Sequence, residues 1–245
     1  MSRAPAGADR FAARSRRRRL GRLLWSFGAV LAVSAVAALA WLVGWSDFTA
    51  VDRVEISGVG GKVEKAVRDA ADVPEGMPLI RVDTDAIDDR VQEIPEVAGA
   101  DVRRGWPRTV EIDISVREPA ATLQDGDTWW SVDDEGVVFG ASATRNAELI
   151  ELVADPGSEV GQVSARVAAI EVLAGLPEEV TSQLAAVEAP SEAAIELVLT
   201  DERRVLWGTA AETARKAEVL GVLMAEVPDA SSYNVSAPDF PSASE

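Results

Sequence analysis

The chain of 245 residues contains no cysteine and no histidine. Without cysteine it can form neither a disulfide framework nor a thiolate metal site or nucleophile. Without histidine, Ser-His-Asp triads, histidine proton shuttles and most catalytic zinc sites are excluded. The two absences together remove much of hydrolase chemistry.

Basic residues are scarce outside the N-terminus. Residues 1–22 carry eight arginines and a single acid, Asp9, which gives this tail a charge of +7. From Ser46 onward the chain has 16 basic and 40 acidic residues, a net charge of −24. Because such a surface repels nucleic acid and anionic lipid, we expect no nucleic-acid partner for the main body.

One long uncharged run, Leu23–Trp45, separates the basic tail from the acidic body. As an α-helix rising about 1.5 Å per residue it would measure roughly 34 Å, which exceeds a bilayer core of about 30 Å. We therefore predict a transmembrane helix over residues 23–45, with the basic tail in the cytoplasm and the body outside the cell. The alternative is a cleaved signal peptide, for which Ala38-Leu39-Ala40 would suit the cleavage region.

Residues 50–118 show alternating strand patterns around two helical ones. The predicted strands are 50–56, 97–102 and 110–116, and the helical apolar stripes are Val63, Val67, Ala70 and Ile87, Val91, Ile94. This order predicts an α+β domain with a three-stranded sheet and two helices on one side of it. Trp106 and Pro107 fall at the turn between the last two strands, and we expect the Trp106 ring to be buried.

Residues 119–237 carry signals for a second domain. The predicted hairpins are Thr128–Val132 with Val137–Phe139 and Ile195–Leu199 with Val205–Trp207. One predicted helix ends at Gly175 and a second covers Ala210–Ala225, and the last predicted strand is Ser231–Ser236. We predict a second, mixed α/β domain built on an antiparallel sheet. Residues 238–245 are expected to form a flexible tail.

The sequence offers no convincing site for chemistry. Gly58-Val59-Gly60-Gly61-Lys62 lacks the glycine spacing and the final Ser or Thr of a phosphate-binding loop, and a turn is the better interpretation. Adjacent acids such as Asp88-Asp89 are expected by chance among so many carboxylates, and a solvated surface explains them. We predict no catalytic residue, no bound cofactor and no metal site.

Six segments match one protein family in order and spacing. They are residues 54–58, 76–83, 94–107, 110–116, 132–139 and 233–238. Following an Arg-rich tail and a single hydrophobic run, they resemble the FtsQ/DivIB family of bacterial cell division proteins over roughly residues 20–240. The resemblance implies a POTRA domain at 50–118 and an FtsQ-type β domain at 119–237.

The resemblance also implies a function. It points to a non-enzymatic scaffold of the divisome in the cell membrane at the septum, single-pass and type II, whose partners are FtsB and FtsL-like division proteins. It places the partner-binding surface in the last strand, with the residues Ser231, Ser232, Tyr233, Asn234, Val235 and Ser236. We predict that this terminal strand pairs edge to edge with a strand of FtsB, with Tyr233 as the main side-chain contact.

Two other functions compete with this interpretation. A POTRA-bearing component of outer-membrane assembly or secretion would require tandem POTRA units or a long series of barrel strands. An enzyme acting on peptidoglycan would require a convergent set of acid, base or nucleophile.

Overall fold

The structure is a computed structural model that describes residues 25, 27–38, 41 and 47–244, with residues 27–38 in a helix. Among these residues, no helix is both long enough and apolar enough to cross a bilayer. The predicted cytoplasmic tail 1–22, and several residues of the predicted span 23–45, lie outside the described residues. The chain divides into two compact units, Met1–Val91 with Ala100–Ile114, and Gln92–Gly99 with Ser115–Glu245.

The first unit is organised around a three-stranded sheet. Its elements in chain order are β1 (Arg53–Ser57), α1 (Gly61–Ala71), α2 (Thr84–Gln92), β2 (Val97–Gly105) and β3 (Thr109–Val116), of which residues 92, 97–99 and 115–116 are grouped with the second unit. The strand order is β1-β3-β2, with β1 parallel to β3. Three buried residues of β3, Val110, Ile112 and Ile114, alternate with more exposed ones. The predicted sheet of three strands with two helices is confirmed.

Polar contacts define the helix ends in this unit. The Asp83 carboxylate accepts a hydrogen bond from the Ala86 N–H at 3.1 Å and so caps the start of α2. Arg90 of α2 donates through Nε to the Ala70 carbonyl at 3.0 Å, which satisfies a carbonyl in the last turn of α1. The two helices are thereby held to each other by one side chain as well as by apolar packing.

The turn between β2 and β3 contains Trp106 and Pro107, as predicted. The Trp106 side chain, however, is 55% exposed, so the expectation that it is buried is wrong. The turn lies between the end of β2 at Gly105 and the start of β3 at Thr109.

The second unit contains a sheet of nine strands. They are β4 (Ala121–Asp125), β5 (Thr128–Val132), β6 (Val138–Ser142), β7 (Glu151–Val153), β8 (Leu184–Glu188), β9 (Ile195–Leu199), β10 (Arg204–Gly208), β11 (Ser232–Asn234) and β12 (Ser242–Ser244), in the order β12-β11-β10-β9-β8-β7-β4-β5-β6. The helices are α3 (Val160–Gly175), α4 (Glu178–Thr181) and α5 (Thr213–Glu226).

This sheet is mixed, which corrects the prediction of an antiparallel one. The pairs β4–β7, β7–β8 and β10–β11 are parallel. Two of these pairs follow from crossovers: α3 and α4 connect β7 to β8, and α5 connects β10 to β11. Parallel neighbours require such connections, whereas a tight hairpin enforces antiparallel pairing.

The core of the second unit lies between the sheet and its helices. Ile170 of α3 and Leu220 of α5 belong to the same buried cluster as Leu197 of β9 and Trp207 of β10. At the β10 end of the sheet, alternate residues point to the other face, where Arg204 and Leu206 are exposed to solvent. The chain as a whole is α+β, a small domain of three strands and two helices followed by a β-rich one.

Candidate functional site

The segment predicted to bind a partner, Ser231–Ser236, contains strand β11 at Ser232–Asn234. This strand does not lie at the sheet edge. It pairs in parallel with β10 on one side and antiparallel with β12 on the other. The prediction that it is the terminal, open strand is therefore wrong, because residues beyond it contribute a further strand.

Backbone groups on both sides of the segment are already hydrogen-bonded. On the β10 side, the Val235 N–H donates to the Leu206 carbonyl at 3.0 Å, and the Arg204 N–H donates to the Ser231 carbonyl at 3.2 Å. On the β12 side, the Ser231 N–H donates to the Ser244 carbonyl at 2.8 Å. A Val235→Pro change would therefore break internal pairing and cannot serve as a clean test of binding.

Tyr233, the predicted main contact, is a core residue that is 1% exposed. Its hydroxyl donates to the Val227 carbonyl at 2.8 Å and accepts from Arg203 Nη1 at 2.9 Å. Burial by itself would lower the pKa of Arg203, but its hydrogen bonds to Asp201 and Tyr233 outweigh that effect, so the pKa is raised. Packing of the Tyr233 ring in the core thus stabilises β11. Val235, which is fully buried, lies on the same face of the segment as Tyr233.

The remaining residues of the segment are partly or fully accessible. Ser232 and Asn234 are half-buried on the open face of the sheet, and Ser231 and Ser236 are exposed. The Asn234 side-chain oxygen accepts hydrogen bonds from the Ser236 N–H at 3.0 Å and from the Ser236 hydroxyl at 2.7 Å. This local turn ends the strand and directs the chain back toward β12.

Strand β12 occupies the edge of the sheet in place of β11. Its three residues, in the segment expected to be a flexible tail, pair Ser232 with Ser244, Tyr233 with Ala243 and Asn234 with Ser242. Among the described strands none lies beyond it, so one side of its backbone has no partner strand. Sequence reasoning missed this strand because Ser-Ala-Ser has neither apolar alternation nor β-branched residues.

A groove of 360 Å³ runs over the open face beside this edge. Its lining residues are Glu196, Arg204, Leu206, Ser232, Tyr233, Asn234, Ser242 and Ser244. Within it, Arg204 Nη1 lies 2.9 Å from a Glu188 carboxylate oxygen and 3.0 Å from one of Glu196. The hydrogen bond to Glu188, which has the larger effect, and the hydrogen bond to Glu196 raise the pKa of Arg204. With two carboxylates against one guanidinium, the cluster carries a net charge of −1.

The structure places no catalytic arrangement at this edge. Serine, asparagine and backbone groups can form hydrogen bonds there, and Leu206 offers apolar surface. Across the part of the chain that the structure describes, no three acidic side chains come together as a metal site would require. The geometry suits the addition of an extended segment through main-chain hydrogen bonds.

Comparison with known families matches both halves of the chain. Residues 49–118 match the model of the FtsQ-type POTRA domain, and residues 121–237 match that of the C-terminal part of cell division protein FtsQ/DivIB. Together the two matches extend over more than half of the chain.

Relatives from several bacteria agree with these matches. The chain is 36% identical over 211 residues to cell division protein FtsQ of Streptomyces bingchenggensis, covering 84% of this chain and 80% of that protein. It is 32% identical to FtsQ of Streptomyces coelicolor, over 88% of this chain and 86% of that one. FtsQ of Mycolicibacterium smegmatis is 37% identical over 89% of this chain and 63% of its own length. The chain belongs to the FtsQ/DivIB family of bacterial cell division proteins.

Proposed function

We propose that this protein is a non-catalytic scaffold of the division machinery that is anchored in the cell membrane and binds other division proteins outside the cytoplasm. Membership of the FtsQ/DivIB family supports the division role. One structural observation supports the mode of binding: β12 lies at one of the two edges of the sheet, opposite β6, and its outer side pairs with no described strand. Unpaired strand edges are templates for an added strand.

The proposed partners are FtsB and FtsL-like proteins, and FtsB is the one that contributes the strand. Because β12 covers the segment Ser231–Ser236, the FtsB strand is proposed to add to the outer edge of β12, with β11 as the strand behind it. The groove beside this edge offers Leu206 as apolar surface and the Glu196 carboxylate as an acceptor for a basic side chain, and Glu188 adds a second carboxylate on the far side of Arg204.

A substitution in β12 tests the binding mode. Proline at the centre of a three-residue strand removes a backbone donor and is poorly tolerated in a ladder. Ala243→Pro in the full chain should therefore abolish capture of FtsB. Ser242→Ala, which keeps the backbone donor, is the matched control and should bind as the wild type does.

Two other results would contradict the proposed mode. Wild-type affinity of Ala243→Pro would place the partner surface elsewhere. Tighter binding after deletion of residues 241–245 would mean that the partner displaces β12 and pairs with Ser231–Ser236 directly. Circular dichroism and retained membrane insertion would establish that each variant is folded.

The anchoring is proposed to be a single helix over residues 23–45, with residues 1–22 in the cytoplasm and the body on the outer side, concentrated at the division septum. The support is the uncharged run and the arginine-rich tail that precedes it. A reporter that works only outside the cytoplasm should be active when fused after Glu245. An active cytoplasm-only reporter at the same position would overturn this topology, and recovery of a released body of about 200 residues would indicate cleavage instead.

We also propose that the protein catalyses no reaction. The support is the family and a chain without histidine or cysteine. Incubation of the purified full chain with peptidoglycan should release no fragments and form no new cross-links. Product that increases in proportion to the concentration of the protein would refute it.

A further inference from the structure

Three segments of the first unit are joined at one end of its sheet. The Val51 N–H donates to the Met77 carbonyl at 2.9 Å, and Ala50 forms a bridge with Pro78. The Arg108 side chain donates to the Ala50 carbonyl at 3.1 Å. These bonds bring together residues 48–52, residues 76–82 and the tip of the β2–β3 hairpin at residues 104–109, which we term the membrane-proximal end.

Arg104 completes the connection between these segments. Its Nε donates to the Leu79 carbonyl at 3.2 Å and its Nη2 to the Val82 carbonyl at 2.6 Å. The topology agrees with the contacts, since β1 and β3 both begin here and run parallel away from this end. The start of α1, near Lys62, follows the far end of β1 and therefore lies at the opposite end of the unit.

The membrane-proximal end presents large apolar side chains to solvent. Leu79 and Val82 are buried in the core, whereas Phe48 is 70% exposed, Trp106 55% and Ile80 50%. Single exposed apolar residues are normal on a protein surface. Here three of them, from three segments that are bonded together, occupy one end, and such a group indicates a surface that is covered by something apolar.

The position of this end along the chain identifies what covers it. The uncharged run ends at Trp45, and Ala50 is already paired with Pro78. Five residues span at most about 18 Å even when fully extended. If residues 23–45 span the membrane, Ala50 and the segments bonded to it are therefore tethered to the lipid surface, with Ala50 itself within that distance of it. Tryptophan and other aromatic rings favour the headgroup zone of a bilayer.

We propose that the membrane-proximal end rests on the outer surface of the lipid bilayer, with Phe48, Ile80 and Trp106 in the headgroup zone, an inference that depends on the proposed membrane span. The contact is apolar in origin, because the body carries a charge of −24 and is repelled by anionic lipid. It therefore forms on zwitterionic phosphatidylcholine and persists at high salt. Its consequence is a fixed orientation of the first unit over the membrane.

The absence of cysteine makes the test direct, because a single introduced cysteine carries the only spin label. The full chain is reconstituted into phosphatidylcholine vesicles with labels at Ile80→Cys and Trp106→Cys. Lys62→Cys, exposed at the opposite end, is the matched control, and Val33→Cys lies within the uncharged run. For each label, the collision rate with oxygen, which dissolves in the lipid, is compared with the collision rate with a water-soluble nickel chelate.

Docking predicts that the labels at positions 80 and 106 lose most of their collision with the nickel chelate, relative to position 62, and gain collision with oxygen. If positions 80 and 106 are as accessible to nickel as position 62 while position 33 is protected, the docking is refuted and the membrane span stands. If position 33 is also accessible to nickel, the span and the docking are both refuted. Should Trp106→Cys fail to fold, Ile80→Cys alone decides the outcome.

Discussion

Arg203 Nη1 donates a hydrogen bond of 2.9 Å to the Tyr233 hydroxyl, and the guanidinium carbon lies 5.7 Å from the centre of the same ring. Arg203 also donates through Nε to an Asp201 carboxylate oxygen at 2.6 Å. The loop between β9 and β10 is thus bonded to the strand beside the sheet edge. Tyr233 acts on that edge through packing and hydrogen bonds, and its side chain is not available to a partner.

Tyr233→Phe should destabilise the second unit. The change removes the Tyr233 hydroxyl donor to the Val227 carbonyl, which keeps the Ala230 N–H at 3.3 Å, and it leaves Arg203 without one acceptor. The loss of these partly buried hydrogen bonds should cost about 0.5–1.5 kcal/mol. Tyr233→Ala should cost more, about 3–5 kcal/mol, since it also opens a cavity. Urea unfolding of the full chain in detergent measures both, with the surface change Ser242→Ala as a control. A Tyr233→Phe protein as stable as the wild type would show that these hydrogen bonds contribute nothing.

Asp133 and Glu135 both bind Arg117, yet their substitution should have unequal effects. The Asp133 side chain is 4% exposed and also accepts a hydrogen bond from the Val137 N–H at 2.7 Å, whereas the Glu135 side chain is 70% exposed. Asp133→Ala removes a buried hydrogen-bond partner of Arg117 and of the Val137 N–H, while Glu135 stays beside Arg117, so the change should cost about 1–3 kcal/mol. Glu135→Ala should cost about 0.2–1 kcal/mol. Equal losses in parallel unfolding experiments would contradict this ranking.

The sequence predicts strands well where one face is buried and the other is solvated. In β3 the alternation of Val110, Ile112 and Ile114 with polar residues marks both the strand and its core face, and β9 and β10 behave alike. In β4, by contrast, Ala121, Thr122 and Leu123 are all buried. A strand that is covered on both faces shows no alternation, which is why this central strand was not predicted.

The candidate site was predictable only in part, for a related reason. Alternation correctly places Tyr233 and Val235 on one face of the segment, but it does not show that this face packs into the core. The edge position depends on β12, which pairs through its backbone and has small, polar side chains. No pattern of side chains in the sequence indicates such a strand. The expectation of an open β11 was wrong because a strand's neighbours are set by topology and not by its own residues.

Lys216 should give the second unit a recognisable pH dependence. Its ammonium donates to the carbonyls of Trp207 at 3.1 Å and Thr209 at 2.7 Å, and burial lowers its pKa below the usual 10.5. Because the unfolded state then holds this proton more tightly, stability rises as the pH increases from the folded-state pKa toward 10.5. The difference in unfolding free energy between wild type and Lys216→Met should therefore shift in favour of the wild type between pH 7 and pH 10. Groups that titrate equally in both proteins cancel in this difference. A difference in unfolding free energy that stays constant or falls between pH 7 and pH 10 would contradict the prediction.

Gly58, which follows β1, should tolerate no side chain. Its φ is +80°, in the left-handed region, and a Cβ there would overlap the carbonyl oxygen of Ile114 in β3. The backbone conformation alone costs roughly 1–2 kcal/mol for a residue other than glycine, and the overlap adds to it, so Gly58→Ala should destabilise the first unit by more than that.

Gly99 in β2 provides the matched control for Gly58. Its added Cβ would meet nothing within 4 Å, and its φ lies outside the left-handed region, so Gly99→Ala should be neutral or slightly stabilising. Hydrogen exchange on the full chain separates the two outcomes: Gly58→Ala should accelerate exchange of the amides of β1 and β3 and leave those of β9 and β10 unchanged. Unaltered exchange in β1 and β3 would mean that the turn adapts without cost, and that the close approach of Gly58 to Ile114 does not constrain the residue at this position.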